Sequence, residues 1–151
     1  MIDFMETRLG DLLKNAAKLN DVEAWFDAID NETIKQIIQW IQVDQLTEQG
    51  IDENGNVIGT YSYITEWITK GRKQEGDHYT LNDTGEFYRS MLVKVLTEMF
   101  IIDANDNKGD ENLFEKYGPG IVGLTDENMQ KLRAIVAEKN AEYIRQTLGI
   151  A

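Results

Sequence analysis

From Thr80 to Asp103 the chain reads TLNDTGEFYRSMLVKVLTEMFIID, and this stretch constrains the fold more than any other. It joins a turn signal, an aromatic pair and the densest apolar run in the sequence. Asn82-Asp83-Thr84-Gly85 is a cluster of turn formers. Asn and Asp side chains bond their own backbone, and Gly tolerates positive φ. Phe87 and Tyr88 follow, then two apolar runs, Met91 to Val95 and Met99 to Ile102. Two readings of these runs compete. As strands, Leu92 to Leu96 and Met99 to Asp103 pair around Thr97-Glu98. The β-branched Val93, Val95, Ile101 and Ile102 suit strands, but Thr-Glu is a poor two-residue hairpin turn. As a helix, Phe87, Met91, Val95 and Met99 stack at four-residue spacing. Local signals leave the two readings level.

The rest of the chain is mostly helical in pattern. Met5, Leu9, Leu12, Leu13 and Ala16 fall on one stripe, predicting an amphipathic helix over 2–19, slightly weakened by Gly10. Asn20-Asp21 caps a short helix carrying Val22, Trp25, Phe26 and Ile29. Ile34, Ile37, Ile38, Trp40 and Ile41 mark a strong helix from Asn31 to about Leu46. Gln49 to Tyr61 is a glycine-containing loop with a tight turn at Asn54-Gly55-Asn56. Residues 62–70 form one or two helical turns with Ile64, Trp67 and Ile68, and 71–77 read as an exposed loop. Thr125-Asp126-Glu127 opens the last helix with a cap and two acids where the dipole favours them, and Gly149 ends it.

A chain of 151 residues suits one domain, and at that size about 70% of the unfolded surface is buried. The expected fold class is α+β, with N-terminal helices, a small antiparallel β-hairpin or sheet in the centre and a long C-terminal helix. Within the single domain 1–151, residues 1–48 are the helical part, 49–108 the loop-rich and β centre, and 109–151 a loop and the last helix.

The absence of cysteine removes disulfides, thiolate metal ligands and cysteine nucleophiles. Met1-Ile2-Asp3 is acidic with no apolar stretch behind it, so cytosolic synthesis is expected. No apolar run approaches the ~20 residues that span a bilayer, and no membrane role is expected. The net charge of −12 repels phosphate backbones, so direct nucleic-acid binding is not expected. Lys70, Arg72 and Lys73 form the only basic cluster. It is either a solvated loop or a contact patch for an acidic neighbouring subunit.

No catalytic, cofactor-binding or metal residue can be assigned. His78 is the only histidine, in a polar loop where a surface position is the default, and no Ser-His-Asp arrangement surrounds it. Neither a phosphate-binding loop nor a dinucleotide fingerprint is present. The nearest approach to a metal motif is Asp103, Asn105 and Asn107, which alternate like the first ligands of a calcium loop. That loop needs Gly at position six and Glu at position twelve. Counted from Asp103 these are Lys108 and Phe114, with Gly109 and Glu115 each one residue late. A small acidic calcium-responsive or regulatory binding protein using the Asp103–Glu115 loop is therefore the second functional reading.

The first rests on a resemblance. Leu81-Asn82-Asp83-Thr84-Gly85-Glu86-Phe87-Tyr88-Arg89-Ser90 reads L-x-D-T-G-x-F-Y-x-S. It resembles the L-x-D-T-G-x-[LF]-x-x-S segment of small neck and tail-completion (head–tail joining) structural proteins of tailed bacteriophages. Gly50 to Gly55 and Gly59 to Ser62 are similar to an upstream segment of such proteins from Bacteroidota phages. The chain departs from the usual pattern in lacking Gly or Asn at Thr97-Glu98 and an arginine before the last helix. The resemblance implies helices, a D-T-G turn, a β-hairpin over 91–103, a glycine-containing loop and a C-terminal helix. It implies a non-enzymatic virion protein, made in the host cytoplasm, that forms a ring with itself and meets neighbouring connector or tail proteins. It also implies that Asp83 or Thr84 caps backbone amides, that Phe87 is buried, and that Lys94 faces solvent or an interface.

Overall fold

The computed structural model describes residues 8–17 and 21–150. The fold is α+β, with a central antiparallel hairpin and a long C-terminal helix. Helices α1 (Arg8–Ala16), α2 (Asp21–Asp27) and α3 (Asn31–Gln39) open it. The beginning and end of the helix expected over 2–19, and the cap expected at Asn20, lie outside the described residues. Leu9, Leu13, Val22 and Trp25, expected on packed stripes, are exposed, because α1 and α2 each lay only one side against the C-terminal helix.

α3 continues into a π-helix, Trp40–Gln49, where a single α-helix to Leu46 was expected. The burial pattern supplies the reason. Ile37, Ile41 and Leu46 are fully buried, at spacings of four and then five. An α-helix would rotate Leu46 off the core face, whereas i→i+5 bonding keeps it there. Gly50, at φ +63°, closes the π-helix by donating its N–H to the Gln45 carbonyl.

A tight turn follows, in which Asp52 Oδ1 accepts from the N–H groups of Asn54 and Asn56, both at 2.9 Å. Then come α4 (Tyr63–Ile68) and α5 (Glu86–Ser90). Next β1 (Leu92–Val95) pairs antiparallel with β2 (Phe100–Asp103) in the register Leu92↔Asp103, Val95↔Phe100. This is the hairpin implied for 91–103. The helix stops at Ser90, and Met91 is extended at φ −61°, ψ 132°. Val93, Val95, Phe100 and Ile102 pack on the core while Lys94, Ile101 and Met99 face out, a period of two that a helix cannot satisfy.

A second ribbon pairs β3 (Asn107–Lys108) with β4 (Glu111–Asn112). The division drawn at residues 108 and 109 thus falls at the tip of this ribbon. α6 (Leu113–Tyr117) and a 3-10 turn (Pro119–Val122) lead to α7 (Asp126–Leu148). Thr125 caps α7 and Gly149 ends it at φ +69°, as its flanking residues predicted. α7 is the post on which α1, α2 and α3 pack.

One clamp on that post is visible at Asp30, the N-cap of α3. Its Oδ1 accepts from the Thr33 N–H at 2.9 Å, and its Oδ2 accepts from Lys139 Nζ of α7 at 2.6 Å. The Lys139 hydrogen bond first, and those from Thr33 next, hold the Asp30 carboxyl well below the usual carboxylate range. A depressed folded pKa gives stability that is present above the unfolded value and lost as pH falls through the folded one. Asp30→Ala is expected to cost about 1–2 kcal/mol at neutral pH, chiefly through the lost cap, because the ion pair is half-exposed. The gap to wild type should narrow as pH drops below about 4. Urea melts at several pH values check this; a gap that does not change with pH would count against it.

Candidate functional site

The D-T-G segment is assembled side chain by side chain. Leu81 sits at φ +56° and packs against the core. Thr84 Oγ1 accepts from the Glu86 N–H at 3.4 Å, the expected cap. Asp83 does not cap the backbone. It reaches Lys108 at 3.1 Å and Lys73 at 3.6 Å, tying the β3–β4 ribbon to the basic loop. Its hydrogen bond to Lys108, above all, lowers its pKa.

Gly85 is left-handed at φ +78°, and a Cβ there would meet the Arg89 guanidinium at 2.7 Å. Phe87 is buried, edge-on to Phe114 with ring centroids 6.5 Å apart. Tyr88 donates its hydroxyl to the Thr80 carbonyl at 2.6 Å, and its own carbonyl accepts from Gln42 Nε2 of the π-helix at 2.7 Å. Burial pushes the Tyr88 hydroxyl pKa up. Ser90 Oγ donates to the Phe87 carbonyl and accepts from the Asn105 N–H at 2.8 Å, so it closes α5 and holds the chain leaving β2. Most positions of the segment thus have a defined local task, Arg89 included, whose guanidinium donates to the Thr84 carbonyl at 3.3 Å.

His78 is half-buried rather than a surface side chain. Its Nε2 lies 2.8 Å from the Thr47 carbonyl, which only a protonated Nε2 can satisfy as donor. Its ring lies where a Cβ on Gly50 would fall. Tyr79 stacks edge-on with Tyr61 at 4.8 Å and Tyr117 at 6.0 Å. His78 thus ties the polar loop to the π-helix, and Tyr79 ties it to α6.

Within the Asp103–Glu115 segment, Asp103 ends β2, Asn107–Lys108 pair with Glu111–Asn112, and Leu113 begins α6. Asp103 Oδ1 accepts from the next N–H, that of Ala104, at 2.8 Å. Asn105 Oδ1 accepts from the Asn107 N–H at 3.2 Å. Asn112 Oδ1 caps α6 by accepting from the Glu115 N–H at 2.9 Å. Among the described residues, no group of three or more carboxylates or histidines is gathered to hold a metal ion.

Two surfaces stand apart from the packed body, and sequence pattern pointed to neither. The first is α4. Tyr63, Ile64, Trp67 and Ile68 are 63%, 66%, 74% and 66% exposed. Their i, i+1, i+4, i+5 spacing puts all four on one side of the helix. The helix is firmly closed: Ser62 caps its start, Gly71 donates to the Glu66 carbonyl at 2.9 Å, and Glu66 Oε2 accepts from the Glu75 N–H at 2.8 Å. The second is an open groove of about 650 Å³ between the π-helix, the 52–56 turn and the start of α7. Asp44, Glu48, Glu53, Asp126 and Glu127 line it, and its one cation, Lys131, is paired with Glu127 at 2.9 Å.

No helix among the described residues is long and apolar enough to cross a membrane. No protein-family profile, curated protein or solved structure matches this chain.

Proposed function

We propose that this chain is a non-enzymatic structural protein of a tailed-phage virion, a ring-forming subunit at the head–tail junction or in the tail. It is made in the host cytoplasm and meets copies of itself and neighbouring connector or tail proteins. One observation carries the reading. The L-x-D-T-G-x-F-Y-x-S segment folds as a unit of turn, short helix and hairpin, and α7 follows in the order that the resemblance implies. The exposed apolar side of α4 supports it, since a subunit needs surfaces to spend on neighbours. A net charge of −12 argues for protein neighbours rather than packaged nucleic acid.

Mass spectrometry of purified virions tests the reading. The expected result is this chain in several copies per particle, in constant ratio to its neighbours. Its absence from intact virions whose other neck and tail components are all detected would overturn it.

A further inference from the structure

We infer that α4 and the basic tip behind it form a docking arm that seats on the acidic groove of a second copy of this chain. The inference rests on the ring-subunit reading and names the contact by which the ring closes.

The arm displays an apolar face that the fold has no internal use for. Four large side chains on one helix face make a patch of the order of the largest an ordinary monomer exposes, roughly 300–600 Å². That falls short of the ~800 Å² per partner of a standard interface, so further contact must come from what adjoins it. Lys70 and Arg72 follow α4 directly in the chain. Both are exposed, and neither makes an ion pair among the described residues, unlike Lys73, which is held by Asp83. Lys70 is turned outward in a left-handed conformation, φ +53°, by the bonding that ends α4.

Arg72 Nε donates to the Thr69 carbonyl at 3.3 Å, and the two cations, without an ion pair among the described residues on a chain of net charge −12, complement an acidic surface. The groove supplies it, with five carboxylates against one cation, and Ile51 contributes apolar surface.

The two surfaces lie on different sides of the π-helix. Asp44 and Glu48 line the groove, while Thr47 faces the recess shared with Tyr61, Arg72 and His78. Arm and groove are therefore not the same patch meeting itself. Such a head-to-tail contact leaves an open chain of copies with one free arm at one end and one free groove at the other until rotation closes the ring.

Sedimentation velocity over a concentration series tests this with the full-length chain. Wild type is expected to assemble beyond a dimer, less strongly as salt rises. Trp67→Ala is expected to weaken assembly about thirtyfold or more, as for an aromatic anchor at an interface centre. Its melting temperature should hold, because Trp67 is 74% exposed. Lys70→Glu with Arg72→Glu should abolish assembly, and adding Asp44→Lys with Glu48→Lys to the same chain should restore it. Assembly that survives Trp67→Ala and the Lys70/Arg72 reversal would overturn the arm. Reversal without rescue would overturn the groove as its seat. A wild type monomeric at every concentration and salt would overturn self-docking altogether. None of these outcomes removes the chain from virions, so the ring-subunit reading fails only on the virion measurement.

Discussion

Phe87→Ala is expected to lower folding stability by about 3–5 kcal/mol, the usual range for truncating a buried aromatic ring. Phe87 is 7% exposed and sits where α5 meets the rest of the core. It touches elements far apart in sequence: Phe114 of α6 lies edge-on to it, and both belong to the layer that includes Met91 and Leu113. Removing it leaves a void among side chains held by their own hydrogen bonds, such as Tyr88 and Ser90, so little collapse can refill the space. Against a typical total of about 5–15 kcal/mol, the loss is large enough to see directly as a shift in urea midpoint. Phe87→Leu keeps most of the volume and should cost markedly less. If the alanine variant lost under about 1 kcal/mol, Phe87 would not be the anchor described here.

Gln45→Leu is expected to cost a comparable amount, about 3–5 kcal/mol, although it adds an apolar side chain of similar size. Gln45 is 1% exposed on the π-helix. Its Nε2 donates to the Gly123 carbonyl at 2.8 Å. Its Oε1 accepts from the Thr125 N–H at 3.0 Å and from Asn128 Nδ2 at 2.9 Å. One side chain thus satisfies three groups around the start of α7. Leucine would strand all three, the Asn128 amide buried and the Gly123 carbonyl and Thr125 N–H half-buried, and a buried group left unpaired costs about 1–3 kcal/mol, less than additively where they relax together. Hydrogen exchange separates this from simple cavity formation. The amides of Thr125 and the first turn of α7 should lose protection more than the rest of the helix, whereas uniform loss along α7 would refute the local account.

The sequence by itself determined the elements whose signals are local. α7 is delimited by residues next to its own ends, Thr125 and Gly149, and both boundaries follow from backbone chemistry alone. The Asn54-Gly55 turn and the left-handed Gly85 were legible for the same reason. The class, α+β with a C-terminal helix, followed from the order of such signals. The hairpin did not: Phe87, Met91, Val95 and Met99 suit a helix as well as Val93, Val95, Ile101 and Ile102 suit strands. It is tertiary packing that decides, because α3 lies near β1 and Val93 and Val95 pack on the core, while Met99 stays 53% exposed. The Leu96 N–H to Met99 carbonyl bond at 2.7 Å closes the turn without the Gly or Asn that local rules look for. The π-helix is likewise a tertiary choice, made by the demand that Ile41 and Leu46 share a core face. Gln45 serving α7 and Asp83 gathering Lys73 and Lys108 join residues distant in the chain, which no spacing rule reaches. The α4 face was the least legible. The sequence marks Ile64, Trp67 and Ile68 only as part of a short helix, and it is the three-dimensional arrangement that leaves them and Tyr63 in solvent.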